Sequence, residues 1–332
     1  MSGGCDLVTF GEPLVRLSPP HFNRLEVAPT LDVRVGGSEL NTAIAASQLG
    51  LATRYVTRLT RNPLGRMVCG AARASGVDTS HVVWTDESRV GLYFTEFGAS
   101  PRANSVVYDR RHSAIAEISA GEIDWAAALA GAKAFHTSGI TPALSKGAAD
   151  ATLEGAKTAK RLGITVSVDL NYRARLWSEK DARQVMTQLT EQADLLLTTE
   201  EDTARVFGIR EDSYEVVAQR LARQFDLRAV AITLRETPSV WRNGWTAIAY
   251  DASSDQLHRG PQFDIEIVDR IGAGDSFAGG FLYGYLTGGV TAGLQYGIGI
   301  SALKQTMPGD IVYASREEVE RLLQGGDLRI QR

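Results

Sequence analysis

The chain has 332 residues, 44% of them hydrophobic, and a formal net charge of −4 at pH 7. This length suits one large α/β domain with a small additional element, and the negative charge argues against nucleic acid as the main partner. No apolar stretch approaches the roughly 20 residues that span a bilayer, so we expect no membrane partner. Cys5 and Cys69 have neither metal-ligand nor disulfide-framework spacing, and the N-terminus lacks a signal-peptide pattern. We therefore expect a cytoplasmic location.

The N-terminal third predicts a strand, a capped helix and an inserted hairpin. The elements are a strand at 7–10, a helix at 39–49 with Ser38 as its N-cap and Gly50 as its stop, and strands at 90–97 and 104–109. The last two strands are joined by a turn and interrupt the alternation of strands and helices.

From residue 124 onward, short apolar strands alternate with helical segments. The predicted strands are 132–136, 164–169, 194–198 and 228–233, and the predicted helices are 144–162, 180–191, 214–224, 274–286, 291–305 and 316–323. Such alternation is typical of parallel βαβ units in a doubly wound α/β sheet. Ligands of these sheets bind at the carboxyl ends of the strands.

The strongest chemical signal is the run DRIGAGDSFAGGF at 269–281. Residues 265–268 predict a strand, and the aromatic residues at 277, 281 and 285 share one face of a predicted helix. The glycines therefore lie where a strand passes into a helix. Free backbone N–H groups at a helix start bind anions, and Gly272 and Gly274 allow the backbone to come close to a ligand.

Asp275 falls in the first turn of that helix, beside the predicted anion site. Phosphoryl transfer needs such an arrangement, because backbone amides stabilise the transferring group while a carboxylate accepts the proton of the attacking hydroxyl. An aspartate that only complements the helix dipole would give the same local pattern. The segment alone does not separate these two interpretations.

The segment 269–281 resembles the C-terminal signature of the ribokinase-like, or pfkB, carbohydrate kinases. Their N-terminal signature is also similar to Gly36-Gly37-Ser-Glu-Leu-Asn41-Thr-Ala43. The resemblance covers essentially the whole chain. It implies one kinase domain over 1–332, a three-layer αβα sandwich, and a small β-sheet lid formed by about 12–35 and 89–118. It also implies that Gly272, Ala273 and Gly274 form the anion hole, that Asp275 is the catalytic base, and that subunits pair through the lid.

Four further stretches resemble 2-keto-3-deoxygluconate kinases more narrowly. They are GEPLVRLSP at 11–19, VYDR at 107–110, DLNYR at 169–173 and MPGD at 307–310. The substrate-binding residues that the resemblance implies are Gly36, Gly37, Asn41, Tyr93, Tyr108, Arg110, Asn171, Arg173, Asp275 and Asp310. Two guanidinium groups, those of Arg110 and Arg173, suit a carboxylate. Each arginine is also compatible with a solvated surface charge, and Tyr93 with a half-buried strand aromatic.

The nucleotide side is implied by two strand ends. Thr233 and Arg235 match the family's turn beside ATP, although many members have glycine where Arg235 stands. Thr199 and Asp202 match an Asn-x-x-Glu element that helps to organise Mg²⁺ and the phosphates, with a different residue at each end. The implied cofactors are ATP and Mg²⁺, with no dedicated metal ligands in the protein. Some relatives also bind a monovalent cation near the residues that match Asp269 and Ile271.

The resemblance implies ATP-dependent phosphorylation of 2-keto-3-deoxygluconate to 2-keto-3-deoxy-6-phosphogluconate. A kinase for fructose or another neutral sugar is the first alternative, and Arg110 and Arg173 argue against it. A non-catalytic sugar-binding regulator would be expected to lack the base, and Asp275 is present. A dinucleotide-dependent oxidoreductase would need Gly-x-Gly-x-x-Gly after the first strand, where only Gly11 stands.

Overall fold

The structure is a computed structural model, and it describes residues 4–326. The strands are β1 (Leu7–Phe10), β2 (Leu14–Ser18), β3 (Asp32–Gly36), β4 (Thr53–Val56), β5 (Arg58–Thr60), β6 (Val83–Thr85), β7 (Gly91–Glu96), β8 (Ser105–Asp109), β9 (Ala134–Ser138), β10 (Thr165–Asp169), β11 (Leu195–Thr198), β12 (Ala229–Ser239), β13 (Arg242–Asp251), β14 (Gln256–Arg259) and β15 (Phe263–Glu266). The helices are α1 (Ser38–Leu49), α2 (Pro63–Ala74), α3 (Trp125–Ala128), α4 (Lys146–Arg161), α5 (Glu179–Thr190), α6 (Glu200–Phe207), α7 (Tyr214–Phe225), α8 (Ala273–Gln305) and α9 (Arg316–Leu323).

The central sheet has the strand order β14-β13-β12-β11-β10-β9-β1-β4, and β15 also pairs with β13. The strands from β12 to β4 run parallel to one another, whereas β13 is antiparallel to β12. Parallel strands have their carboxyl ends at one edge of the sheet. The chain segments that follow β1, β9, β10, β11 and β12 therefore meet at this edge.

Helices cover both faces of the central sheet. On one face, apolar side chains of α3, α4, α5 and α7 form a core with residues such as Phe135 and Val168. On the other face, α1, α8 and α9 pack against alternate strand residues such as Leu195 and Ala247. The strands bury both faces, which explains their nearly continuous apolar composition. The result is the expected three-layer α/β/α sandwich.

A smaller sheet, with the order β3-β2-β7-β8, lies beside the central sheet. Val15 and Val35 of this sheet pack with residues of α1 and α2 in a third core. Its outer strands are largely exposed, with Val33 53% and Val107 54% accessible. At the far end, Phe22 of the β2–β3 loop contacts Trp241 of the β12–β13 turn edge to face, with ring centroids 5.4 Å apart.

Two sequence-based predictions about element ends are wrong in detail. The N-cap of α1 is Gly37, with φ of 143°, and the Ser38 hydroxyl bonds to Asp275 instead of capping its own helix. The strand predicted at 265–268 lies at 263–266, because the amide of Ile267 bonds to the carbonyl of Trp241 in the neighbouring turn. By contrast, the two helices predicted at 274–286 and 291–305 are confirmed as the two halves of α8, which is broken between them at Gly289 with a φ of 81°.

Several elements were not predicted, among them β2, β3, α2, α6, β13 and β14. The helix α2 begins at Pro63, where Asn62 caps the helix by accepting from the amide of Gly65. This pattern is a recognisable helix start. Within residues 4–326, none of the helices combines the length and the apolar character that crossing a membrane requires.

Candidate active site

A cavity of about 600 Å³ opens at the carboxyl edge of the central sheet, beneath the smaller sheet. Its lining includes every predicted site residue except Gly36: Gly37, Asn41, Tyr93, Tyr108, Arg110, Asn171, Arg173, Thr199, Asp202, Thr233, Arg235, Gly272, Ala273, Gly274, Asp275 and Asp310. Residues from eight separate stretches of the chain thus meet in one place. The parallel topology explains part of this convergence, since the stretches at 171–173 and 199–202 follow β10 and β11 at this edge.

Asp275 lies in the first turn of α8, where two side chains of α1 hold its carboxylate. One oxygen accepts from the Ser38 hydroxyl at 2.7 Å and the other from the Asn41 amide at 2.7 Å. Burial raises the pKa of Asp275 above its usual range, and these two hydrogen bonds oppose the shift. The carboxylate is therefore fixed in direction and is more basic than a solvated aspartate, as a general base requires.

Asn171 extends this network from the end of β10. Its amide donates to the Ser38 hydroxyl at 3.2 Å and to Asp169 at 3.4 Å, and its φ of 35° falls in the left-handed region that asparagine tolerates. The side chain of Asn41, predicted to bind the substrate, is already bonded to Asp275 through its nitrogen. Its amide nitrogen serves Asp275, while its oxygen is buried and has no partner, so only an acceptor is left for a substrate hydroxyl.

Negative charge dominates this part of the cavity. Burial raises the pKa of Asp169 well above its usual range, and the charges of Asp275 and Asp202 raise it further. Arg173 opposes the shift. Arg173 is exposed, and no carboxylate in the described part of the chain lies within salt-bridge distance of its guanidinium. It is thus a cation with spare hydrogen-bond donors at the cavity mouth.

The glycine loop at the start of α8 has two glycines with different requirements. Gly272 has a φ of 85°, and a Cβ atom there would lie 2.1 Å from the carbonyl oxygen of Asp310, so no other residue fits. Gly274 is exposed to the cavity, and a Cβ atom there would meet nothing within 4 Å. Its lack of a side chain leaves room for a ligand at the helix N-terminus, where N–H groups point outward.

Asp310 is held by two strands of the smaller sheet. One carboxylate oxygen accepts from Arg16 at 2.8 Å, and the other accepts a short hydrogen bond from the Tyr93 hydroxyl. Gly36 does not line the cavity. A Cβ atom there would lie 2.1 Å from Asp310, so this glycine makes room for a carboxylate and does not approach a ligand. The structure thus gives Gly36 a packing role beside Asp310, and its predicted contact with the substrate stays a prediction.

Arg110 forms a buried ion pair that the sequence did not indicate. Its guanidinium bonds to Glu12, whose other oxygen accepts from the Ser113 hydroxyl at 3.1 Å. Glu12 also lines the cavity, and its side chain is fully buried. Arg110 therefore brings N–H donors to the cavity but little net charge, because Glu12 neutralises it. The two predicted guanidinium groups both line the cavity, and among the described residues Arg110 has a salt bridge whereas Arg173 has none.

At the opposite end of the cavity, Arg270 lies near Arg235. Arg270 donates to the carbonyl of Val240 at 3.0 Å, and its Nε is buried without a partner. Burial and the charge of Arg235 lower the pKa of Arg270. Two neighbouring cations in one cavity favour a polyanionic ligand at this end. Sequence reasoning missed Arg270, although its position within the DRIGAGD run was a usable signal.

Comparison with known proteins agrees with this architecture. The model of the pfkB family carbohydrate kinases matches residues 6–312. A 2-dehydro-3-deoxygalactonokinase of Haloferax volcanii is 40% identical over 328 residues, which covers 98% of this chain and 99% of that protein. The crystal structure of 2-dehydro-3-deoxygluconokinase from Thermotoga maritima superposes with a TM-score of 0.94 and 42% identity, covering 97% of this chain and 99% of that chain.

A more distant structure, fructokinase with bound ATP from Xylella fastidiosa, has a TM-score of 0.80 at 22% identity, covering 96% of this chain and 98% of that one. This likeness concerns the fold. The chain belongs to the pfkB family of carbohydrate kinases, and its fold is ribokinase-like. Kinases of this family use ATP and Mg²⁺.

Proposed function

We propose that this kinase transfers the γ-phosphoryl group of ATP to 2-keto-3-deoxygluconate and forms 2-keto-3-deoxy-6-phosphogluconate. The observation that carries the proposal is the unpaired guanidinium of Arg173 in the same cavity as Asp275. A sugar acid brings the carboxylate that such a cation can bind, whereas a neutral sugar does not. The names of the Haloferax and Thermotoga relatives support the same substrate class.

Asp275 would act as the general base. Its carboxylate accepts the proton of the substrate hydroxyl as the hydroxyl oxygen bonds to the γ-phosphorus and the bond to the leaving ADP oxygen breaks. The N-terminus of α8, with Ala273 and Gly274, would stabilise the negative charge on the transferring group. Ser38 and Asn41 orient the base, since each donates to one of its oxygens.

The acidic side of the cavity is suited to Mg²⁺. Asp169 and Asp202 raise the local negative charge, which a divalent cation would neutralise. Within residues 4–326, no group of three or more His, Cys, Asp or Glu side chains is placed to hold a metal alone. We therefore propose that Asp202, Asp169 and Thr199 would contact the ion mainly through water and phosphate. Mg²⁺ supplies positive charge to the phosphate oxygens when it is bound.

Arg235, Arg270 and Thr233 line the other end of the cavity, where we propose that they hold the nucleotide phosphates. The segments 12–35 and 89–118 would act as the lid over the sugar acid, since they contain β2, β7, β8 and all of β3 except its last residue, Gly36. We also place the enzyme in the cytoplasm, because ATP is its proposed phosphate donor and both cysteines are free thiols.

The decisive experiment measures ADP release with purified enzyme, ATP and Mg²⁺ across a panel of sugar acids and neutral sugars. We expect the highest kcat/KM for 2-keto-3-deoxygluconate and only weak turnover of fructose. A preference for fructose would remove the substrate assignment and leave the kinase class intact. The position of the new phosphate is read from the ³¹P–¹H couplings of the product.

A second substrate is favoured by one specific observation, the 40% identity to the galactonokinase of Haloferax volcanii. The two sugar acids differ in the configuration of one hydroxyl group, and a single hydroxyl contact can separate substrates strongly or hardly at all. The same panel should therefore include 2-keto-3-deoxygalactonate. A higher kcat/KM for that epimer would reassign the sugar acid while leaving the role of Arg173 unchanged.

A further inference from the structure

Lys304, at the C-terminal end of α8, is a buried cation beneath the glycine loop. Its side chain is inaccessible to solvent, and its ammonium donates to the backbone carbonyls of Asp269 at 2.9 Å and Met307 at 3.3 Å. No carboxylate in the described part of the chain pairs with it directly. A buried ammonium that depends on backbone carbonyls is unusual, because burying a charge is costly without close counter-charge.

The two carbonyls belong to segments that shape the active site. Asp269 begins the run that contains Gly272 and Asp275, and Met307 begins the turn that leads to Asp310. The Asp269 carboxylate ties the same segments together, since its oxygens accept from the amides of Ile271 at 3.0 Å and Gly309 at 2.9 Å. Lys304 thus connects the anion-binding loop to the turn before Asp310 by donating to one carbonyl of each segment.

Some pfkB kinases bind a monovalent cation near the residues that match Asp269 and Ile271, and the residues present here do not suit one. Alkali cations bind backbone carbonyls, yet the Asp269 carbonyl is already bonded to an ammonium. The Asp269 carboxylate is occupied by two amides and by Arg16, which lies 2.8 Å away. A second cation beside Lys304 and Arg16 would be repelled at close range in a buried place.

We infer that the Lys304 ammonium serves in place of a monovalent cation, so that this enzyme positions its anion-binding loop without K⁺ or Na⁺. The inference rests on the proposed kinase function for its activity test. Lys304 is a positioning residue here, because it contacts the backbone of the loop and not the substrate. The ammonium is covalently attached, so its site remains filled at any ionic composition.

The first test compares the purified wild type in chloride salts of potassium, sodium and tetramethylammonium at equal ionic strength. We expect kcat to agree within about twofold among the three salts, and a stimulation of about tenfold or more by K⁺ would overturn the inference. The melting temperature is measured in the same salts, since a bound cation would raise it. Equal melting temperatures support the inference even if no sugar is phosphorylated, and a rise specific to K⁺ contradicts it.

The second test uses Lys304→Met, which keeps an unbranched side chain one atom shorter than lysine and removes the charge. We expect kcat to fall by about tenfold or more in tetramethylammonium chloride, with partial recovery in potassium chloride. Lys146→Met is the matched control, because that lysine is exposed on α4. A folded Lys304→Met variant with wild-type kcat in all three salts would overturn the inference. If the variant does not fold, the wild-type comparison of salts decides alone.

Discussion

Asp275 combines the three properties expected of a general base: a raised pKa, a fixed orientation and a place beside an anion-binding loop. We predict that Asp275→Asn lowers kcat by about 10²–10⁴-fold, the usual loss when a general base is removed. Binding of ATP and of the sugar acid should stay within a few-fold, since asparagine keeps the shape of the side chain. Steady-state kinetics and isothermal titration calorimetry measure the two effects.

Asp181→Asn provides the control for this substitution, because Asp181 occupies the first turn of α5 and is exposed. A role for Asp275 in the helix dipole alone would make the two variants behave alike. An Asp275→Asn enzyme that kept more than half of the wild-type kcat would contradict the assigned role.

The guanidinium of Arg173 should determine the preference for acids, because Glu12 already neutralises Arg110. A charge-assisted hydrogen bond contributes about 1.5–3 kcal/mol, so Arg173→Ala should raise KM for 2-keto-3-deoxygluconate by roughly tenfold or more. For a neutral sugar that the wild type phosphorylates weakly, kcat/KM should fall much less in the variant. The measurement is kcat/KM for the acid and for fructose in both enzymes.

Arg175→Ala is the matched control, since Arg175 lies two residues along the same loop, is not among the residues that line the cavity, and donates to the carbonyl of Val106 at 3.0 Å. Equal losses for acid and fructose would show that Arg173 is structural or serves ATP. Arg110→Ala is a poorer test. It would leave Glu12 buried without its partner and lower stability by about 3–5 kcal/mol.

At the scale of elements, the start of α8 depends on Gly274 for access rather than for backbone conformation. Because a Cβ atom there meets no protein atom, we predict that Gly274→Val folds with a melting temperature near that of the wild type. Its side chain should obstruct the γ-phosphate, so kcat should fall by about 10²-fold or more. Thermal denaturation and steady-state kinetics test both parts, with Gly70→Val on the outer side of α2 as the control. Unchanged kcat in the folded variant would exclude an anion hole at this loop.

The junction of α1 with the end of β9 depends on Glu39. One of its oxygens accepts from the amide and hydroxyl of Ser138 and from the hydroxyl of Thr141, while the other is buried without a partner. Burial raises the pKa of Glu39 from 4.5 to about 7. A carboxyl with a raised pKa in the folded state favours folding most below its unfolded pKa. This contribution is lost as pH rises from about 4.5 to about 7.

We predict that Glu39→Gln removes this pH dependence, because the amide does not titrate. The free energy of unfolding of the variant, relative to the wild type, should increase by up to about 3 kcal/mol between pH below 4.5 and pH above 7. Urea unfolding at both pH values measures the difference, and Glu179→Gln is the control, because Glu179 is an exposed residue at the start of α5. Parallel pH profiles for wild type and Glu39→Gln would contradict the shifted pKa.

At the scale of the whole molecule, the smaller sheet leaves two edge strands open, β3 and β8. Exposed edges with apolar side chains are prone to pair with another chain, so we propose that two subunits associate through this sheet. The prediction is that the wild type sediments as a dimer or larger oligomer and that Val33→Lys shifts it toward the monomer. Val216→Lys, at an exposed position on α7, should leave the oligomer unchanged. A monomeric wild type would remove the proposal.

The sequence by itself determined the fold class and the position of the chemistry. Alternation of apolar strands with amphipathic helices is a local pattern, so β9, β10, β11, α5, α7 and α9 were predicted within about two residues. The glycine-rich run and the polar strand ends then located the cavity, because a parallel sheet carries its strand ends to one edge. The break in α8 was also predicted, since Gly289, which has non-helical φ and ψ angles, lies in the gap between the helices predicted at 274–286 and 291–305.

Only the tertiary structure decided which charges are free. Three sets of hydrogen bonds join residues that are far apart in the chain. Arg110 bonds to Glu12, Arg16 and Tyr93 bond to Asp310, and the buried Lys304 bonds to the carbonyl of Asp269. Periodicity and composition report neighbours along one element. They carry no information on which distant side chain neutralises an arginine or lies beside a glycine. Those contacts are determined by how the helices and sheets pack against one another.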